Sequence, residues 1–137
     1  MHQGFIKVAA ATPRIRVADV DFNAGAIIDS LKTAAQAGAR LCVLPELVLT
    51  GYTCGDLFLQ DTLLSSARRA LEAIVDATAN LDMVSLIGLP LDVNGRVYNC
   101  AAATYRGHVL AFIPKTNLPN YGEFYEKRQF TPAERTR

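Results

Sequence analysis

Two stretches of the chain carry apolar residues at the three- and four-residue spacing of an amphipathic helix. The first spans residues 24–35 and the second spans residues 63–78. Gly38 follows the first stretch, where a helix stop is expected. The candidate N-terminal caps are Asp19, Asp21 or Asn23 for the first helix and Asp61 or Thr62 for the second. The chain is therefore predicted to contain two helices, each with one face directed to a core.

Three short apolar runs alternate with these helices. They cover residues 5–11, 41–44 and 83–89, and their nearly continuous apolar character is typical of strands buried in a sheet. Pro90 is expected to end the third strand. Strand and helix in alternation predict two βαβ units, whose right-handed crossovers would make the three strands parallel.

The pattern then changes to short strands separated by turn dipeptides. Asn-Gly at 94–95 is a strong hairpin signal between residues 91–93 and 97–104, and Arg-Gly at 106–107 leads into an apolar run at 108–113. These segments predict an antiparallel meander that extends the sheet. The expected fold class is α/β, with a mixed sheet built from βαβ units and hairpins.

Composition narrows the class of protein. The 137 residues are 50% hydrophobic and 20% charged, which is typical of a soluble globular domain or part of one. The net charge is only +1, and no basic block alternates with aromatic residues, so nucleic acid is not expected as a partner. No apolar run approaches the roughly 18 residues of a membrane helix, and no signal peptide is recognisable. The chain is therefore predicted to be cytoplasmic, with no membrane partner.

The three cysteines, Cys42, Cys54 and Cys100, are odd in number and widely spaced, so neither a disulfide framework nor a zinc site is predicted. Cys42 and Cys100 lie in predicted strands, where buried thiols are usually inert. Cys54 lies in a loop rich in Gly, Thr and Asp, and it is the one candidate for a reactive thiol. No cationic residue adjoins it to lower its pKa. The sequence contains no glycine-rich phosphate-binding motif.

Two ionisable residues directly follow apolar strands, each with a proline before it: Glu46 and Lys115. Ligands bind at the carboxyl ends of strands in open α/β sheets, so the two side chains could converge on one pocket. There a carboxylate could act as a general base and an ammonium could stabilise an oxyanion. An ordinary ion pair, or two solvated strand ends, is the alternative interpretation.

Three further residues are candidates for the same pocket. Glu123 follows Lys115 by eight residues and is either a carboxylate of the site or the cap of a short helix. Tyr52 and Tyr121 lie beside glycines and could present phenol groups to a polar substrate, although surface or core tyrosines are more common.

Two segments resemble motifs of the carbon–nitrogen hydrolase (nitrilase) family. Leu-Pro-Glu-Leu at 44–47 with Gly-Tyr at 51–52 resembles the first motif, and Ile-Pro-Lys at 113–115 with Leu-Pro at 118–119 resembles the second. More narrowly, residues 51–58 and 118–128 are similar to the amino-terminal glutaminase domains of glutamine-dependent NAD synthetases. The likeness covers nearly the whole chain in order.

This resemblance implies a four-layer α-β-β-α sandwich, of which residues 1–137 would be the N-terminal portion of a single glutaminase domain. It assigns Glu46 as general base, Lys115 as oxyanion partner and Glu123 as the second glutamate of the family. Tyr52 and Tyr121 would line a glutamine pocket. The family's nucleophilic cysteine follows the lysine in chain order, and no cysteine follows Lys115. We therefore expect the isolated chain to be inactive.

The resemblance also implies partners. Glutamine would be the substrate, and ammonia would pass to a C-terminal synthetase domain that converts deamido-NAD to NAD in an oligomer of identical subunits. ATP and Mg would belong to that domain, with no cofactor in this segment. Two alternatives stay open: part of an amidase or carbamoylase that acts on another small amide, and a non-catalytic association module.

Overall fold

The computed structural model describes residues 4–118, 120–121 and 124–134. Two helices and five longer strands form the main body: β1 Val8–Ala10, α1 Val20–Gln36, β2 Leu41–Val43, α2 Asp61–Ala77, β3 Val84–Val93, β4 Arg96–Tyr105 and β5 His108–Pro114. Two short strands, β6 Asn120–Tyr121 and β7 Phe124–Tyr125, pair with each other. Single 3₁₀ turns cover Gly55–Leu59 and Glu126–Arg128.

The five longer strands form one mixed sheet in the order β1-β2-β3-β4-β5. β1, β2 and β3 are parallel, and β4 and β5 continue the sheet in antiparallel fashion. The predicted mixed sheet is confirmed. Because two reversals restore the direction of the chain, β5 is parallel to β2, and the carboxyl ends of these two strands lie at the same edge of the sheet.

Helices α1 and α2 pack against each other and against the sheet, and the core lies between. Ile27, Leu31, Ile74 and Ile87 are fully buried there. Part of the other face of the sheet is exposed, where alternate residues such as Val43 and Ile113 are 41% and 53% accessible. The described residues thus form one helical layer and one sheet layer, as in half of an α-β-β-α sandwich.

Asp19, one of the three predicted caps of the first helix, is confirmed as the N-cap of α1. α1 begins at Val20, four residues before the apolar pattern, because Asp19 Oδ1 accepts a hydrogen bond from the backbone N–H of Phe22 at 3.2 Å. For α2 the predicted caps Asp61 and Thr62 are wrong: both lie inside the helix, and Gln60 precedes it in an extended conformation. The carboxylate of Asp61 instead occupies the first turn, where the helix dipole favours it.

Two strand predictions also need correction. Residues 5–11 do not form a buried strand, since β1 is a three-residue edge strand and Phe5 is 79% exposed. Pro90 does not end β3, which continues to Val93. The carbonyls of Leu86 and Gly88 point away from β4 and accept from Leu44 and Leu49. Pro90 shares their orientation, so its missing N–H leaves the β3–β4 ladder intact.

Neither helix is both long and apolar enough to cross a membrane, as far as the described residues extend.

Candidate active site

Glu46 lies in a tight turn that follows β2 and rests on β3. The turn places Leu47 in the left-handed region, with φ 53°, and the backbone N–H of Gly51 donates to the carbonyl of Leu47 at 2.7 Å. Beneath it, β3 carries Gly88. A Cβ atom at that position would clash with the backbone nitrogen of Leu47 and lie 2.8 Å from the carbonyl oxygen of Pro45. The turn can therefore approach the sheet only because residue 88 is glycine.

Gly88→Ala is expected to lower the free energy of unfolding by about 1–3 kcal/mol, because the backbone of the 45–47 turn must move away from β3. Gly25→Ala is the matched control, since this helical glycine has open space at its Cβ position and should gain about 0.5–1 kcal/mol. Urea unfolding of the two variants checks both signs. If Gly88→Ala were as stable as the parent protein, the close approach of turn and strand would be incorrect.

Lys115 follows β5 and joins two carboxylates. Its Nζ atom donates to Glu46 Oε1 at 2.7 Å and to the two oxygens of Glu126 at 3.1 and 3.2 Å. Burial would lower the pKa of Lys115, but hydrogen bonds to Glu46 and Glu126 and their negative charges outweigh it, so this pKa is raised. The lysine thus remains a fixed cation. The predicted convergence of Glu46 and Lys115 on one pocket agrees with this geometry.

Glu126 is the second carboxylate that the structure brings to Lys115. It is only 5% exposed, and its Oε1 atom also accepts from the hydroxyl of Tyr52 at 2.6 Å. Glu126 was not among the residues predicted for the site. Glu126 directly follows the short strand β7. This strand has only two residues and no proline precedes Glu126, so the pattern that indicated Glu46 and Lys115 is absent there. Glu123, which was predicted for this role, lies outside the described residues.

The turn that carries Glu126 is tied to the loop that carries Tyr52. Arg128 donates to both carboxylate oxygens of Asp56, at 2.9 and 3.0 Å, and this hydrogen bonding from Arg128 lowers the pKa of Asp56. The pair is solvent-exposed and contributes little to stability. It joins the 126–128 turn to the loop that follows Tyr52. Tyr121 belongs to β6, but its side chain is not among those described.

Asn99, on β4, is a further residue of the site that the sequence analysis missed. Its side chain is buried, and Nδ2 donates to Glu46 Oε1 at 2.5 Å. Its backbone carbonyl accepts from the N–H of Lys115 at 2.8 Å. Nothing local in the sequence indicates this role, because Asn99 and Glu46 are 53 residues apart.

All three thiols are buried, and none is hydrogen-bonded to Glu46 or Lys115 within the described parts of the chain. Burial raises the pKa of Cys42 and of Cys54, and it raises the pKa of Cys100 to about 11. Cys100 adjoins Asn99 in β4, but successive side chains of a strand point to opposite faces, so its thiol faces the helices. Cys54, the predicted reactive candidate, donates to the carbonyl of Thr50 at 3.2 Å.

A cleft of about 290 Å³ opens beside Glu46, Asn99 and Lys115. A larger cavity of about 660 Å³ lies elsewhere, lined by Phe5, Arg40 and Asp82. Asp82 pairs there with Arg40 at 2.8 Å and accepts from Tyr105, so its charge is already compensated. The smaller cleft is therefore the candidate active site, because it alone of the two adjoins the converging ionisable groups. No cluster of potential metal ligands occurs in the part of the chain that the structure describes.

Comparison with known proteins gives a consistent family. The profile of the carbon-nitrogen hydrolase family matches residues 7–135. The glutamine-dependent NAD(+) synthetase of Mycobacterium tuberculosis (strain ATCC 25618 / H37Rv) is 42% identical over 131 residues, which are 96% of this chain and 19% of that protein. The chain thus spans about a fifth of the length of this relative.

Solved structures agree with the sequence comparison. A glutamine-dependent NAD(+) synthetase from Cytophaga hutchinsonii superposes with a TM-score of 0.91 and 33% identity, over 96% of this chain and 22% of that one. An amidase from Nesterenkonia sp. AN1, which carries a covalent adduct on its active-site cysteine, superposes with a TM-score of 0.76 and 27% identity, over 95% of this chain and 49% of that one. The chain belongs to the carbon–nitrogen hydrolase family, and it is homologous to the N-terminal region of glutamine-dependent NAD synthetases.

Proposed function

We propose that this chain is the N-terminal portion of a glutaminase domain that hydrolyses the side-chain amide of glutamine. The observation that carries the proposal is the contact of Lys115 with Glu46 and Glu126, at the shared edge of β2 and β5 and beside an open cleft. The glutamine-dependent NAD synthetases of M. tuberculosis and Cytophaga hutchinsonii match this chain at 42% and 33% identity, whereas the amidase matches at 27%. This difference favours glutamine over a simple aliphatic amide.

The proposed reaction begins with a cysteine thiol. Glu46 takes the thiol proton, and the sulfur attacks the carboxamide carbon of glutamine. The carbonyl π electrons move to oxygen, where the ammonium of Lys115 stabilises the negative charge. When the tetrahedral intermediate collapses, Glu46 returns the proton to the departing nitrogen, ammonia leaves and a thioester remains. Glu46 then removes a proton from water, whose attack on the thioester gives glutamate and restores the thiol.

The thiol itself is proposed to come from sequence outside these 137 residues. Cys42 and Cys100 point into the core, and Cys54 is buried and bonded to Thr50. A raised pKa disfavours the thiolate at all three positions. Much of the length of the M. tuberculosis relative lies outside the matched region, which leaves room for a nucleophile and for a synthetase domain that uses ATP and Mg.

The test compares the 137-residue chain with a protein extended along its reading frame to the length of the relatives. We expect the extended protein to release ammonia from glutamine much faster than from butyramide at equal concentration, and the isolated chain to release none. A faster reaction with butyramide would favour the amidase alternative. With ATP and deamido-NAD present, glutamine consumption should be accompanied by formation of NAD.

A variant of the extended protein with Cys42, Cys54 and Cys100 all replaced by serine locates the nucleophile. This variant should keep its glutaminase activity, because the proposed thiol lies elsewhere. Loss of activity on Cys54→Ser alone would instead place the nucleophile in the loop after Glu46. If the extended protein hydrolysed no amide at all, the exposed face of the sheet would favour the association-module alternative.

A further inference from the structure

We propose that Asn99 is a positioning residue that aims the carboxylate of Glu46 at the reacting thiol. This inference rests on the function proposed above and adds a residue to its machinery. Glu46 Oε1 accepts two hydrogen bonds, from Asn99 Nδ2 at 2.5 Å and from Lys115 Nζ at 2.7 Å. Oε2 accepts none from any described residue. One oxygen is therefore fixed, and the other is left to exchange the proton.

Lys115 alone would not fix this orientation. Its ammonium contacts three carboxylate oxygens, one on Glu46 and two on Glu126. An ammonium is a compact charge on a flexible four-carbon chain, so it restrains a distance better than a direction. The planar amide of Asn99 projects from the interior of β4, where Asn99 lies opposite Pro90 of β3 and its carbonyl accepts from the N–H of Lys115. It therefore supplies the directional restraint that the lysine lacks.

The burial of the two partners argues against a purely structural role. A buried amide needs hydrogen bonds, but backbone groups can supply them, as they do for the fully buried Asn23, which bonds to Arg16 and Leu49. The side chain of Glu46 is 42% exposed, so water could solvate it without help. Glu46 therefore does not require the hydrogen bond from Asn99 in order to remain solvated. The effect of this bond is to set the direction of the Glu46 carboxylate.

Asn99 also couples the two ionisable groups. Its side chain holds Glu46, and its backbone carbonyl accepts from the N–H of Lys115. The base and the oxyanion partner are therefore both hydrogen-bonded to the same residue of β4. A shift of that residue would move both groups together, and loss of its side chain would free only Glu46.

The experiment uses Asn99→Leu and Asn99→Asp in the extended protein, with ammonia release from glutamine as the assay. Asn99→Leu should lower kcat about ten- to a hundredfold with little change in KM, as expected for loss of one hydrogen bond to a charged group. Asn99→Asp places a second carboxylate against Glu46, and the repulsion between the two negative charges disfavours ionisation of Glu46. As the solution is made more acidic, the rate of this variant should therefore begin to fall at a higher pH than the rate of the protein with Asn99. Asn23→Leu, a buried asparagine outside the site, should reduce thermal stability and leave the pH profile unchanged.

A double variant separates positioning from folding. If Asn99 acts through Glu46, adding Asn99→Leu to Glu46→Gln should lower the residual rate no further. Equal losses in the two backgrounds, or an Asn99→Leu loss that appears in KM, would overturn the proposal. If the parent protein released no ammonia, the proposed function would fail first, and the Asn99–Glu46 contact would then be tested by a double-mutant cycle on thermal unfolding, where additivity would overturn it.

Discussion

Glu46→Gln is expected to lower the turnover of glutamine by the extended protein about a hundred- to ten-thousandfold, the range for removal of a general base. A glutamine carbonyl can still accept the hydrogen bond from Asn99, so the site should keep its shape. It cannot take the thiol proton. The loss should therefore appear in kcat and in kcat/KM to similar extents, measured as steady-state release of ammonia.

Glu72→Gln provides the control for this variant, since Glu72 is an exposed residue of α2 and the same chemical change there should leave the rate unaltered. A Glu46→Gln protein that retained full turnover would mean that another group removes the thiol proton. The catalytic reading of the strand-end carboxylate would then be wrong.

Lys115→Met is expected to reduce kcat about a hundred- to a thousandfold, because the developing oxyanion loses its cation. It should also destabilise the fold by about 1–3 kcal/mol, since the buried carboxylate of Glu126 keeps its bond from Tyr52 but loses its counter-charge. Stopped assays for ammonia and thermal unfolding measure the two effects separately.

Adding Glu126→Gln to Lys115→Met separates the effect on kcat from the effect on stability. The neutral amide no longer needs a cation, so stability should return while the rate stays low. Lys127→Met, at an exposed neighbouring position, is the matched control and should change neither quantity. Recovery of the rate in the double variant would show that Lys115 serves the fold and not the reaction.

The parts of the fold that the sequence predicted correctly are those with a local cause. Helical spacing located α1 and α2, and the Asn-Gly dipeptide located the turn between β3 and β4. A prediction failed where the outcome depends on contacts with a distant part of the chain. Pro90 continues a strand because its nitrogen faces away from β4, and only the pairing of the sheet determines that direction.

The candidate site follows the same division. Glu46 and Lys115 were identifiable because each follows an apolar strand and a proline. The sheet topology then places the carboxyl ends of β2 and β5 at one edge, where the two side chains meet. Asn99 and Glu126 had no comparable signal in their own segments that set them apart as partners of Glu46 and Lys115. The role of Asn99 depends on its contact with Glu46, and the role of Glu126 depends on its contact with Lys115. Both contacts are set by packing between distant segments.

The separation of these partners along the chain has a consequence for folding. Asn99 meets Glu46 across 53 residues, Lys115 meets Glu46 across 69, and Glu126 meets Tyr52 across 74. Loops of that length must close before any of these bonds can form, and closure costs entropy that local helix formation does not. We therefore expect the site to assemble late, after the β3–β5 meander is complete. A nascent chain that ends before residue 126 contains Glu46 but not the second carboxylate that contacts Lys115.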